Sequence, residues 1–161
     1  DRWMAEGRAV TGEPVRVEPA TFTPRVRPDL RRTAEDVLGH ARSGDAAIVD
    51  ARDPGQYAGA VWRGSRGGRV PGAVNVPIAG LFDDDGSWRS PEALRAVFRN
   101  AGIEEERPVV AYCNGGVTAT AVLFALDRAG HRDWANYDGS WNEWGERPDL
   151  PVEGWSADET A

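Results

Sequence analysis

Cys113 is the only cysteine among 161 residues, and it is followed by Asn114, Gly115, Gly116, Val117 and Thr118, none of them charged. The apolar run Pro108 to Tyr112 ends at the cysteine, and a helical pattern begins straight after the short loop. A strand, a tight loop and a helix in that order let the loop wrap around its own first side chain. Gly115 and Gly116 have no Cβ, so they permit the positive φ angles and close backbone approach that such a cradle needs. Main-chain N–H groups and a helix N-terminus then face one sulfur. A free thiol ionises near pH 8.5, and in such settings the value falls to about 3.5–7.5. The thiolate is the reactive form, so the pattern fits a nucleophilic cysteine. The bland reading is a buried cysteine beside an αβ turn, and the residues alone leave it open.

Composition removes several alternatives. A lone cysteine forbids an internal disulfide and any two-cysteine redox cycle within this chain. It favours a reducing compartment, and the expected localisation is cytoplasmic. All 19 basic residues are arginine, so Schiff-base lysines and phosphate-loop lysines are excluded. His40 and His131 lie far apart, near helix ends, and with one cysteine they make a structural metal site an unfavoured reading. His131, after Gly130, reads as a surface or capping residue. The net charge of −7 would repel nucleic acid, and no apolar run is long enough to span a bilayer. A cysteine-loop phosphatase or arsenate reductase would need an arginine at the loop's end to hold its oxyanion. None occurs between Cys113 and Arg128.

The elements that must position the cysteine follow an alternating pattern. Thr33 and Asp36 form an approximate capping box for a helix that Gly44 stops. Ala46 to Val49 reads as a buried strand ending at Asp50, and Asp53-Pro54-Gly55 opens a turn or short helix. An arginine- and glycine-rich loop, 63–72, leads to the short run Ala73 to Val76. Asp83-Asp84-Asp85-Gly86 is a solvated turn without calcium-loop spacing. Ser90-Pro91-Glu92 starts a helix that Gly102 ends. Pro108 to Tyr112 is the most apolar strand, the helix after the cysteine runs to Gly130, and Trp134 to Tyr137 is the last strand. Strand–helix repetition predicts an α/β fold with a parallel sheet and helices on both faces. Ligands in such sheets bind beyond the carboxyl ends of strands, where Asp50 and Cys113 both lie.

Three stretches in order resemble the rhodanese-type sulfurtransferases. They are Asp50-Ala51-Arg52 continuing to Gly68-Arg69-Val70-Pro71-Gly72-Ala73-Val74-Asn75-Val76-Pro77, then Cys113 to Ala119, then Tyr137-Asp138-Gly139-Ser140-Trp141-Asn142-Glu143-Trp144-Gly145. Together they span roughly residues 33–152 and look most like the C-terminal, catalytic domain of the two-domain thiosulfate and 3-mercaptopyruvate enzymes. The resemblance implies a rhodanese-like three-layer α/β/α fold around a central, mostly parallel five-stranded sheet. It divides the chain into an arm or linker at 1–32, a catalytic domain at 33–155 and a disordered tail at 156–161. The chain begins at Asp1 rather than Met and reads as a fragment. A short echo, Trp3, Gly7 and Pro14-Val15 against Trp141, Gly145 and Pro151-Val152, casts the arm as the tail of a preceding copy. An N-terminal rhodanese domain of the same protein is therefore an expected partner.

The resemblance also implies a mechanism, one that requires no metal or organic cofactor. Cys113 takes a sulfane sulfur from thiosulfate or 3-mercaptopyruvate and becomes a persulfide, which a thiol or cyanide acceptor then discharges. Asn114, Gly115, Gly116, Val117 and Thr118 would bind the substrate sulfur, with the Thr118 hydroxyl supporting the loop. The loop is neutral, which is closer to the 3-mercaptopyruvate members. Two departures stand out: Gly115 replaces a serine sometimes given a proton-relay role, and Gln56 aligns with an arginine that often contacts substrate. Arg63 and Arg66 either bind an anionic donor or are solvated loop residues. Asp50 and Arg52 are read as a structural pair, Asp138 and Ser140 as fixing the turn before Trp141, and Trp141 and Trp144 as packing. The alternative function is a persulfide relay or binding module loaded by a partner protein.

Overall fold

The computed structural model describes residues 2–154; the segment expected to form a disordered tail, 156–161, lies outside them. The elements in order are α1 (Arg2–Ala5), β1 (Arg31–Arg32), α2 (Ala34–Ser43), β2 (Ala47–Asp50), α3 (Pro54–Ala58), β3 (Val74–Asn75), α4 (Pro91–Asn100), β4 (Val109–Tyr112), α5 (Val117–Ala129), β5 (Trp134–Tyr137) and α6 (Ser140–Trp144). Helix starts follow the sequence. The Thr33 hydroxyl accepts from Asp36 N while the Asp36 carboxylate accepts from Thr33 N, closing the capping box. Ser90 caps α4 by accepting from Ala93 N, with Pro91 at the first helical position.

The five strands form one sheet in the order β1-β5-β4-β2-β3, and every pairing is parallel. Side chains along a strand alternate between faces. Ala47 and Val49 of β2, with Val109 and Ala111 of β4, join the core under α4 and α5, where Leu94, Phe98, Val122 and Leu126 are buried. Ile48, Val110 and Tyr112 face the opposite core with Val37 of α2 and Trp141 and Trp144 of α6. Both faces are covered, which is why β2 and β4 read as unbroken apolar runs. Fully burying a side chain such as Leu94 contributes about 1.5–3 kcal/mol.

β2 and β4 are adjacent at the centre, and Asp50 pairs with Tyr112 in register. From β2 the chain crosses to β3 on one side; from β4 it crosses to β5 on the other. The strand order therefore reverses between β2 and β4, and the carboxyl ends of these two strands are where a ligand crevice belongs. Cys113 follows β4 at that point.

Two elements differ from the sequence reading. β1 lies within the segment read as an arm, and it pairs with β5 as an edge strand. α6 forms where only a turn was expected. The rest of the arm, residues 2–29, is exposed throughout, Trp3, Val15 and Phe22 included.

Candidate active site

Cys113 is 3% exposed and its side chain borders the larger core. Three hydrogen bonds hold its backbone and that of Asn114 against the start of α6. The Cys113 amide donates to the Ser140 hydroxyl at 3.1 Å. The Cys113 carbonyl accepts from Trp141 N at 3.0 Å, and the Asn114 carbonyl accepts from Asn142 N at 2.9 Å. Farther along, the Gly116 carbonyl accepts from Asn136 Nδ2 at 3.4 Å. Gly116 caps α5 with φ +78°, and a Cβ there would sit 2.8 Å from the Asp138 carbonyl oxygen. Positive φ and close approach thus both require glycine at 116. Gly115 does not use the positive region; a Cβ there would meet only Asn142 Nδ2, at 3.2 Å.

Among the described residues, the amides of Asn114, Gly115, Gly116, Val117 and Thr118 donate to no protein atom, Cys113 Sγ included. The sequence reading aimed these donors at the thiol itself. The fold instead leaves them unengaged around the loop. Asn114 Nδ2 also reaches Gln56 Oε1 of α3 at 3.3 Å, an uncharged pair at the edge of the loop. Gln56 is buried. The Thr118 hydroxyl makes no hydrogen bond among the described residues. Val117, within the loop, is exposed.

A buried ion pair braces the strand ends beside the cysteine. The Asp50 carboxylate accepts from Arg52 N, Nε and Nη2 and, at 2.7 Å, from the Tyr112 hydroxyl. Arg52 Nη2 also donates to the Gly68 carbonyl, and its guanidinium lies 4.4 Å from the centre of the Trp141 ring. The Tyr112 hydroxyl accepts from Val70 N at 3.1 Å. Burial, and then the Asp50 charge, push the Tyr112 phenol well above its ordinary range. Burial alone would lower the Arg52 guanidinium, but its hydrogen bond to Asp50 and the Asp50 charge raise it. The phenol therefore stays protonated at neutral pH. These groups stiffen the floor of the crevice and are not available to a substrate.

Of the two arginines singled out in the 63–72 loop, Arg66 turns toward α6. Its guanidinium donates to the carbonyls of Trp144, Gly145, Arg147 and Leu150. That is helix C-cap work, and it occupies the donors an anionic donor molecule would need. Arg63 is exposed. The fold therefore gathers Cys113 and the 114–118 loop into one site, with Gln56 beside it, and directs Arg66 to the far end of α6. His131 is buried, not at the surface. A cavity of about 700 Å³ lined by Arg95, Arg99, Leu126 and His131, among others, holds no residue of the cysteine loop. It opens at the opposite ends of the strands, beside the last turns of α4 and α5. Among the described residues, no group of three or more His, Cys, Asp or Glu is placed to hold a metal ion, and no helix is long and apolar enough to cross a membrane.

Residues 33–147 match the rhodanese-like domain family. The chain belongs to that family. It is 40% identical over 146 residues to a thiosulfate sulfurtransferase of Rattus norvegicus, covering 88% of this chain and 49% of the relative. It is 33% identical over 164 residues to the sulfur carrier protein TtuD of Thermus thermophilus, covering 94% and 58%. It is 32% identical over 145 residues to a 3-mercaptopyruvate sulfurtransferase of Mus musculus, covering 88% and 49%. The chain spans about half the length of these relatives. Among solved structures, wild-type EanB superposes with a TM-score of 0.83 at 23% identity, over 94% of this chain and 38% of that one. That likeness establishes the fold of this rhodanese-like domain, a five-stranded parallel sheet with helices on both faces.

Proposed function

We propose that the chain is a sulfurtransferase in which Cys113 carries the transferred sulfur. One observation supports this above others: consecutive unengaged amides surround the loop of the only cysteine, at the strand-order reversal of the sheet. With thiosulfate, the Cys113 thiolate attacks the outer sulfur. A new S–S bond forms, the bond to the sulfonate sulfur breaks, and sulfite leaves with the electron pair, giving a Cys113 persulfide anion. With 3-mercaptopyruvate the C–S bond breaks instead, and the carbon leaves as an enolate that takes a proton to become pyruvate. An acceptor thiolate or cyanide then attacks the outer sulfur and returns the Cys113 thiolate. The amides of Asn114 to Thr118 hold the negative outer sulfur in place, as fixed dipoles that need no reorganisation. Two half-reactions through one covalent intermediate give ping-pong kinetics.

In this reading Asn114, Gly115, Gly116, Val117 and Thr118 act through their backbone. Arg63 is the remaining cation of the 63–72 loop open to an anionic donor, since Arg66 is engaged at α6 and Arg69 pairs with Glu153. The exposed arm, with Trp3, Val15 and Phe22 open, packs against a preceding rhodanese domain of the same protein, and the working compartment is the cytoplasm. Loading Cys113 with thiosulfate and with 3-mercaptopyruvate in parallel, read as added sulfur in the intact mass, tests the activity and ranks the donors. A second reading, a persulfide relay filled by a partner protein, draws on the sulfur carrier among the relatives. It is favoured if a desulfurase loads Cys113 and neither small donor does.

A further inference from the structure

The unengaged amides need an agent that turns them the right way. In a trans peptide the carbonyl of one residue and the N–H of the next point in opposite directions, and the described peptides contain no cis bond. The carbonyls of Cys113 and Asn114 both point at the first turn of α6, bonded to Trp141 N and Asn142 N. The Gly116 carbonyl points at Asn136 of β5. The N–H groups of Asn114, Gly115 and Val117 must therefore face away from the β5–α6 segment. The cradle is thus oriented from behind, by whatever fixes the start of α6.

Ser140 occupies that position. It is fully buried and has φ +53°, the only positive φ outside glycine among the described residues. Left-handed backbone is unfavourable for serine and persists only where surroundings impose it. Its hydroxyl is satisfied on both sides: it donates to the Tyr137 carbonyl at 2.8 Å and accepts from Cys113 N at 3.1 Å. The same residue that starts α6 thereby removes the Cys113 amide from the set of free donors and fixes the peptide that carries the sulfur.

We propose that Ser140 is a positioning residue of the sulfur-transfer centre, setting the orientation of the Asn114 and Gly115 amides through the Cys113 backbone and the first turn of α6. This rests on the sulfur-transfer reading, and its test separates the two. The measurement is the pH dependence of Cys113 alkylation by iodoacetamide, alongside sulfur loading from thiosulfate, in the full chain. Ser140→Gly is the primary variant, because glycine accepts the positive φ while losing the hydroxyl together with its Cβ; Ser140→Ala, which removes the hydroxyl alone, is the second. The expected result is a folded variant whose alkylation midpoint rises by about one pH unit, with loading at neutral pH about tenfold slower. A folded variant with the wild-type midpoint and loading rate overturns the proposal. So does failure of both variants to fold, which would assign Ser140 to the fold alone. A wild-type thiol that alkylates but never takes up sulfur sinks the transfer reading and leaves the alkylation comparison intact as the test of Ser140.

Discussion

The Tyr112 hydroxyl donates to the Asp50 carboxylate at 2.7 Å, joining the carboxyl ends of the two central strands one residue before Cys113. Removing that hydroxyl in Tyr112→Phe leaves Val70 N–H without its acceptor and Asp50 with one donor fewer. The expected loss is about 1–3 kcal/mol, measured by denaturant unfolding.

The same phenol makes a pH prediction. Its folded-state pKa is raised by burial and the Asp50 charge, while in the unfolded chain it ionises near 10. Its contribution is fully present below about pH 10 and is lost as the pH climbs through the folded-state value. Melting temperature should therefore fall on the alkaline side, above about pH 10. The fall should be shallower in Tyr112→Phe. Parallel alkaline slopes in the two proteins would contradict the assignment.

Arg66 separates a structural from a substrate role. Its four carbonyl acceptors at the end of α6 predict that Arg66→Ala costs about 2 kcal/mol or more. The KM for thiosulfate should stay near wild type in the fraction that remains folded. A large rise in KM with unchanged melting temperature would place Arg66 on the donor instead.

Gly116→Ala places a Cβ against the Asp138 backbone and forces a left-handed alanine, which costs about 1–2 kcal/mol from the backbone alone. The loop must shift, and the amides with it. Sulfur loading should slow by about 10²-fold or more, the size of losing one well-aimed donor. Stopped-flow loading on the folded variant gives the number.

Gln56 and Asn114 form a neutral pair beside the loop. Gln56→Arg adds a cation there, which favours the thiosulfate dianion over the singly charged carboxylate of 3-mercaptopyruvate. The ratio of loading rates, thiosulfate over 3-mercaptopyruvate, should rise about tenfold at low salt and less at high salt. An unchanged ratio would show that this edge of the loop does not meet the donor.

The readable parts of this protein were those written in local chemistry. Thr33 with Asp36 and Ser90 with Pro91 start helices through contacts three residues long. Strands β2 and β4 are apolar without interruption because both faces are buried. Gly116 sits where the cysteine loop needs positive φ. The unreadable parts depend on distant partners. β1 is two arginines with no alternation, and only the edge of β5 makes it a strand. Arg66 in a glycine-rich loop resembles an anion ligand, yet its acceptors lie about 80 residues on. Ser140 reads as a turn residue, since nothing near it in sequence reveals that its hydroxyl meets Cys113, 27 residues earlier.

The central claim is that Cys113 takes sulfur directly from a small-molecule donor. The direct measurement is the intact mass of the full chain after incubation with thiosulfate or 3-mercaptopyruvate, followed by addition of cyanide. One added sulfur, absent in Cys113→Ser and removed by cyanide as thiocyanate, is the predicted result. An unchanged mass with both donors, from a folded protein whose thiol still alkylates, would contradict it.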